Sequence, residues 1–199
     1  MRKILLASAS PRRAALMKQI GIEFEIAIPE INEDLNIDNE PVEVVQKISR
    51  SKAEDIAHRT GEDAVIIAAD TVVVCDGRIL GKPADACEAE EMLRLLEGRK
   101  HEVITGFTII DNSKDKRIIT SYEVTGVKMR KLDDIEIQAY LNTGEPFDKA
   151  GAYAIQGVGA LLVDEIKGCY FNVMGFPLSK IAHVLEGIGI SLLRMQANL

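Results

Sequence analysis

One carboxylate lies in the middle of the most apolar stretch of the chain. Asp70 follows Ala68 and Ala69 and precedes, after one threonine, Val72 and Val73. A charged carboxylate inside a buried strand is costly unless it is paired, binds a metal ion or lies at an open cleft. The alternative is a structural hydrogen bond to a neighbouring loop. The pattern favours a functional carboxylate.

A second group of reactive residues lies where the first apolar segment gives way to a helical one. Residues 8–13 have the sequence Ser-Ala-Ser-Pro-Arg-Arg, with Ser10 as a plausible N-cap and Pro11 at the first helical position. Hydroxyls, a helix N-terminus and the guanidiniums of Arg12 and Arg13 are the composition of an anion site. A capped surface helix with two solvated arginines would have the same pattern.

Three lysines and a small-residue stretch complete the candidates. Lys52, Lys82 and Lys149 are each typical of a solvated surface, but Lys82 stands between a glycine and a proline that limit its backbone freedom. Residues 149–159 are mostly small, which allows a close approach of the backbone to a ligand, and they include Gln156. This stretch has no dinucleotide-binding fingerprint, and a tight turn between strands is the alternative.

Charge and cysteine content narrow the class of protein. The chain has 199 residues, a net charge of −7 and a pI near 5.1, which argues against a broad nucleic-acid surface. Its three cysteines and three histidines have neither disulfide-framework nor zinc-site spacing. The apolar run over residues 64–74 is too short to cross a bilayer, so no membrane segment is expected.

Hydrophobic periodicity predicts an α/β protein with a mixed sheet, in which these residues follow or interrupt strands. The predicted helices cover residues 12–20, 41–60, 86–96, 133–142 and 177–185. The predicted strands cover residues 2–7, 24–28, 64–75, 78–80, 101–111 and 117–129, with further extended segments over 152–155 and 160–166. The Asp76-Gly77 turn predicts a hairpin.

Taken together and in order, these motifs resemble the Maf family of nucleotide pyrophosphatases, in its dTTP/UTP-hydrolysing branch. The matching segments are residues 6–13, 69–73, 81–83, 149–157 and 168–177. The resemblance implies a single domain over residues 1–199, an elongated twisted sheet flanked by helices and two lobes around a central cleft, similar to inosine triphosphate pyrophosphatases. It also implies a cytoplasmic house-cleaning hydrolase, a divalent cation (Mg²⁺ or Mn²⁺) and a possible homodimer.

The resemblance also implies residue roles. Asp70 would be the catalytic carboxylate and, with Glu33, a metal ligand; Glu30 and Asp34 are near substitutes for Glu33 in the same acidic loop. The remaining positions would bind substrate. Those tied to base preference are Arg12, Thr71 and Gln156, and those near the phosphates are Ser8, Arg13, Lys52 and Lys82.

The chemistry of the bases agrees with these roles. Arg12 is a donor-only group and should favour uracil or thymine, which present two carbonyl acceptors, over cytosine. The Gln156 amide can pair with either kind of base after a flip, so it cannot discriminate alone. The alternative function, from a different class, is a nucleotide-binding regulator of cell division in which hydrolysis is incidental.

Overall fold

The computed structural model describes residues 2–31, 40–61, 63–113 and 115–196. Its strands are β1 (Lys3–Ala7), β2 (Glu25–Ala27), β3 (Ala64–Cys75), β4 (Arg78–Leu80), β5 (Lys100–Asp111), β6 (Arg117–Met129) and β7 (Val163–Lys167). They form one sheet in the order β2-β1-β3-β5-β6-β7, with β4 paired to β3. Because β1 is parallel to β2 and β3 while the other pairs are antiparallel, the predicted mixed sheet is confirmed.

The neighbours of β3 leave a gap along one of its edges. The ladder between β1 and β3 ends at Ala7 opposite Ala68, and the ladder between β3 and β4 begins at Leu80 opposite Val73. On that edge, no strand of the described residues pairs with residues 69–72, whereas β5 pairs with them on the other edge. Asp70 therefore lies at an opening in the sheet rather than in its closed interior.

Helices cover both faces of the sheet. They are α1 (Pro11–Gln19), α2 (Pro41–Arg59), α3 (Ala86–Leu96), α4 (Asp134–Leu141), α5 (Tyr170–Val173), α6 (Leu178–Gly187) and α7 (Leu192–Gln196). The apolar side of α2 packs on even-numbered residues of β3, including Ile66 and Ala68. None of the described helices is long and apolar enough to span a membrane.

The opposite face of β3 separates two hydrophobic clusters. Val65 and Ile67 pack in a cluster with α1 and α6, whereas Val73 and Cys75 pack in a cluster with α3 and α4. Since side chains alternate along a strand, these odd-numbered residues share a face, and the gap at residues 69–72 falls between the clusters. The two clusters form the two lobes on either side of the gap.

Gly106 of β5 explains how close α2 comes to the sheet. It pairs directly with Asp70, and a Cβ atom built on it would lie 2.5 Å from the carbonyl carbon and oxygen of Val45 in α2. Only a glycine leaves room for a helix backbone at this distance. Because Gly106 has no side chain, the backbone of α2 can pack directly on the sheet beside Asp70.

The segment after α4 departs from the sequence prediction. Residues 152–155 form no strand, and residues 160–166 are extended only from Val163 onward; 3-10 helices occupy Ala150–Ala152 and Gly157–Leu162 instead. Gly151, Ala152 and Gly157 have φ values of 68°, 56° and 65°, in the left-handed region that interrupts an extended chain. The short helices α5 and α7 were not predicted, because their few residues carry too little periodicity.

Candidate active site

A cavity of about 330 Å³ opens at the gap in the sheet. It is bounded by the turn after β1, by β3, by the loop after β4 and by the 3-10 segments that follow α4. All predicted site residues that the structure describes line it: Ser8, Arg12, Arg13, Lys52, Asp70, Thr71, Lys82 and Gln156. Motifs spread over most of the chain thus converge on one cleft.

The acidic loop that follows β2 can be described only in part. Glu33 and its near substitute Asp34 lie outside the described residues. The other substitute, Glu30, is exposed and forms an ion pair with Arg59 at 3.2 Å. It is not among the residues lining the cavity.

A buried ion pair forms the floor of the cavity. The Nζ atom of Lys52, in α2, lies 2.7 Å from Oδ1 of Asp70, and the two residues are 6% and 8% exposed. Taking both charges out of water is tolerated because each is paired with the other. Among the described residues no donor contacts Oδ2 of Asp70, and Asp70 is one of the residues that line the cavity.

Arg13 holds together the elements on one side of the cavity. Its Nε donates to the carbonyl of Gly175 at 2.8 Å, and its terminal nitrogens donate to Ser8 Oγ at 3.2 Å and to Thr71 Oγ1 at 3.1 Å. Ser8 Oγ also accepts from the backbone N–H of Ser10 at 3.1 Å. The buried guanidinium therefore fixes the turn after β1 against β3 and the loop after α5.

A chain of hydroxyls behind Thr71 sets the direction of its hydrogen bond. Thr105 donates to the carbonyl of Asn172 at 3.1 Å, and its oxygen lies 3.0 Å from Oγ1 of Thr71. A hydroxyl has one proton, so the full set of bonds is made only when Thr71 donates to Thr105. Thr71 then accepts from Arg13 and presents a remaining lone pair, not a proton, to the cavity.

The opposite side of the cavity carries a carboxylate between two cations. Asp148 accepts from Arg12 at 3.1 Å and forms a close ion pair with Lys149. Burial alone would raise the pKa of Asp148, but the hydrogen bonds and charges of Lys149 and Arg12 lower it below its ordinary value. The carboxyl group is therefore ionised at neutral pH.

The loop that carries Lys82 is tied to this same side. The carbonyl of Gly81 accepts from the backbone N–H of Gly151 at 2.9 Å, and Lys82 itself is exposed at the cavity rim. Gln156 is also exposed and directly precedes the left-handed Gly157. Both side chains can reach a ligand without a large loss of buried contacts.

The cavity has the charge that a small polyanion requires. Its described lining holds five cationic side chains and two carboxylates, a formal charge of 5 − 2 = +3, although the whole chain carries −7. The cations are Arg12, Arg13, Lys52, Lys82 and Lys149, and the carboxylates are Asp70 and Asp148. Such focusing attracts an anion into the cleft of an acidic protein.

Comparison with known proteins identifies the family of this chain. The family model described as "Maf-like protein" matches residues 3–188. The chain belongs to the Maf family. A protein of Acetivibrio thermocellus named dTTP/UTP pyrophosphatase is 48% identical over 200 residues, covering 98% of this chain and 99% of its own. A protein of the same name from Caldicellulosiruptor saccharolyticus is 44% identical over 197 residues, covering 98% of each chain.

Two solved structures also align with this Maf chain. A HAM1 protein from Coxiella burnetii aligns with a TM-score of 0.47 at 18% identity, covering 65% of this chain and 73% of its own. A nucleoside-triphosphatase / dITP/XTP pyrophosphatase from Mycobacterium abscessus aligns with a TM-score of 0.43 at 13% identity, covering 99% and 97%.

Sequence reasoning missed Asp148, which lines the Maf cavity, and two residues that support the cavity from outside its lining, Thr105 and Asn172. Asp148 follows Phe147 in a mixed segment where an acidic residue is ordinary, and Thr105 lies in an apolar strand without a motif around it. Asn172 lies in the matching segment 168–177 without a predicted role; it is fully buried, and its amide donates to the carbonyl of Val103 and to Oγ1 of Thr125, at 2.9 Å each. For Thr105 the available signal was a polar residue inside an apolar strand, as for Asp70, whereas Asp148 and Asn172 lie in no strand.

Proposed function

We propose that this Maf chain hydrolyses dTTP and UTP to the nucleoside monophosphate and pyrophosphate. The observation that carries the proposal is the cationic cavity built around the buried Asp70–Lys52 pair. A triphosphate is the kind of compact polyanion that such a cleft attracts. The substrate class follows from relatives that are 44–48% identical over nearly the whole chain and are named dTTP/UTP pyrophosphatase.

The proposed reaction is in-line attack of water on the α-phosphorus. The new bond joins the water oxygen to phosphorus, and the bond to the α,β-bridging oxygen breaks, so that oxygen leaves with pyrophosphate. Asp70 accepts the proton of the attacking water through Oδ2, while Lys52 holds Oδ1 and thereby fixes the plane of the carboxylate. Lys82, Arg13 and Ser8 then bind the phosphate oxygens.

A divalent cation, Mg²⁺ or Mn²⁺, fits the donors present. Asp70 offers a hard carboxylate oxygen, and Glu33, which lies outside the described residues, would supply a second. Magnesium is commonly held by one or two carboxylates together with substrate phosphates. Within the described residues no three acidic, histidine or cysteine side chains form a group that could hold an ion. When bound, the cation would neutralise charge on the phosphate oxygens.

The base would be selected by side chains from both sides of the cavity. Arg12 donates to a carbonyl of uracil or thymine, and Thr71, whose proton is directed to Thr105, offers an acceptor to a base N–H. Cytosine has an amino group in place of the second carbonyl and lacks the ring N–H, so it would leave the Arg12 donor without a carbonyl and present a different donor pattern to Thr71. Gln156 adds a contact that can adapt to either base.

The deciding experiment measures pyrophosphate release from a panel of nucleoside triphosphates with Mg²⁺ or Mn²⁺. We expect dTTP and UTP to be the best substrates, and Asp70→Asn to lower turnover by about 100- to 10,000-fold. The matched control is Asp134→Asn, because Asp134 is 80% exposed in an ion pair with Arg94 outside the cavity. Its activity should equal that of the wild type.

Two outcomes would contradict the proposal. Full activity of the Asp70→Asn variant would remove Asp70 from the chemistry. Tight nucleotide binding by the wild type without turnover, measured by equilibrium dialysis, would favour the regulatory alternative. A homodimer and a single domain over residues 1–199 remain proposals, to be tested by light scattering and limited proteolysis.

A further inference from the structure

A short segment after α4 contacts the surroundings of two of the proposed base-selecting side chains, Arg12 and Gln156. This 145–149 segment consists of the 3-10 helix Glu145–Asp148 and Lys149. It begins after Gly144, whose φ of 76° turns the chain sharply out of α4. Its two ends contact different parts of the cavity wall.

At one end, Asp148 holds Arg12. Its Oδ2 accepts from the guanidinium at 3.1 Å across 136 residues of sequence. Arg12 is half-buried, and Asp148 is the one acceptor it has among the described residues. The remaining N–H groups of Arg12 are therefore presented to the cavity in a direction that Asp148 sets.

At the other end, Glu145 holds the turn that carries Gln156. Its two carboxylate oxygens accept from the backbone N–H groups of Val158 at 2.9 Å and Gly159 at 3.0 Å. Gly157 has a φ of 65°, in the left-handed region that favours glycine, and a Cβ atom on it would lie 2.4 Å from Oε1 of Glu145, so this carboxylate would have to move. The two bonds and this contact fix the backbone on which Gln156 stands.

Lys149 joins the two ends. Its Nζ atom donates to the carbonyl of Glu145 at 3.1 Å and pairs with the carboxylate of Asp148. The backbone N–H groups of Val158 and Gly159 hold the pKa of Glu145 below its ordinary value, although its partial burial opposes them. Both carboxylates are therefore ionised at neutral pH and bind their donors as charged acceptors.

We propose that the 145–149 segment is a positioning element for base selection, which fixes Arg12 and Gln156 relative to each other. The inference rests on the proposed function, because the geometry that this segment fixes is that of the proposed base-binding site. Glu145, Asp148 and Lys149 are positioning residues: they act on the base through Arg12 and the turn of Gln156. Arg12 and Gln156 then bind uracil or thymine while the segment holds them at a fixed separation.

The test is the ratio of kcat/KM for UTP to that for CTP in Asp148→Asn and Glu145→Gln variants. Each change keeps the size of the side chain but removes a charged acceptor, so we expect the ratio to fall about fivefold or more. Asp148→Glu, which retains the charge, should keep more of the ratio than Asp148→Asn. The control variants are Asp134→Asn and Glu186→Gln, whose exposed carboxylates lie outside the cavity lining.

A structural role alone would lower both kcat/KM values equally or lower the unfolding temperature without changing the ratio. Either result would overturn the inference. Failure of the proposed function would be visible separately, because the wild type itself would then release no pyrophosphate from UTP. An active wild type with unchanged ratios in both variants refutes only the positioning role.

Discussion

The burial of the Lys52–Asp70 pair leads to a prediction about the free energy of unfolding, which can be tested without measuring turnover. Replacing Lys52 with Met leaves a buried carboxylate uncompensated, and replacing Asp70 with Asn leaves a buried ammonium opposite a neutral amide. The double variant Lys52→Met/Asp70→Asn contains neither charge. A double-mutant cycle over these proteins isolates the coupling between the two side chains.

The distance between the two charges and their burial determine the size of the expected coupling free energy. At 2.7 Å and an effective dielectric constant of about 20, two unit charges attract by ~6 kcal/mol. Desolvation of both groups offsets much of this attraction, but removal of one partner of a buried pair costs about 3–5 kcal/mol. The double variant loses mainly the hydrogen bonding of one buried amide, about 1–3 kcal/mol. The two single losses together, less the loss in the double variant, give an expected coupling free energy of about 6 kcal/mol.

Urea unfolding followed by far-UV circular dichroism measures these free energies, because the chain has no tryptophan for fluorescence. The control is the same cycle on Arg94 and Asp134, an exposed pair at 2.7 Å that should couple by less than about 1 kcal/mol. If Lys52 and Asp70 couple no more strongly than this control, the carboxylate is not fixed by Lys52. The proposed orientation of the catalytic group would then be wrong.

Three further predictions concern residues around the site. Thr105→Val removes the acceptor for the Thr71 proton, so the preference for UTP over CTP should fall about fivefold. A Cβ on Gly106 would clash with the backbone of Val45, so Gly106→Ala should lower the free energy of unfolding by about 3 kcal/mol. Burial lowers the pKa of His101 to about 4, whereas the unfolded value is about 6.5. Between these values the unfolded chain binds more protons, so stability should fall by about 2 kcal/mol from pH 7 to pH 5.

Each of these predictions has a matched comparison. Thr105→Ser keeps the hydroxyl and should keep the base preference. Gly126→Ala, where the nearest side-chain atom to a Cβ is 3.8 Å away, should cost far less than Gly106→Ala. The exposed His183 replaced by Gln should leave the pH dependence intact, whereas His101→Gln should reduce it. Equal behaviour within any pair would contradict the reasoning for that pair.

Much of the fold follows from local patterns in the sequence. The apolar, β-branched runs of β3, β5 and β6 and the amphipathic stripe of α2 each fall within a residue or two of the predicted bounds. The Asp76-Gly77 turn has φ values of 49° and 76°, as the hairpin requires. These features depend on neighbours in sequence, which is why they could be predicted.

The wall of the site formed by residues 145–162 could not be predicted in the same way. Alternating apolar residues there indicate strands, but left-handed residues such as Gly151 and Ala152 divide the segment into 3-10 turns. The pairing of Asp148 with Arg12 joins positions 136 residues apart, and neither residue carries a signal for the other. Long-range contacts of this kind depend on packing rather than on periodicity.

The gap along β3 limits how this cleft can be remodelled. Its floor is bounded by where β1 stops and β4 starts, so loop insertions alone would change the rim and leave the floor the same width. Asp70 and Thr71 would keep their faces if either boundary moved, because the alternation of side chains along β3 and its pairing with β5 do not depend on the lengths of β1 and β4. A wider floor for a bulkier base would therefore require an earlier end of β1 or a ladder with β4 that begins later along β3, which makes the size of the accepted nucleotide a property of strand length.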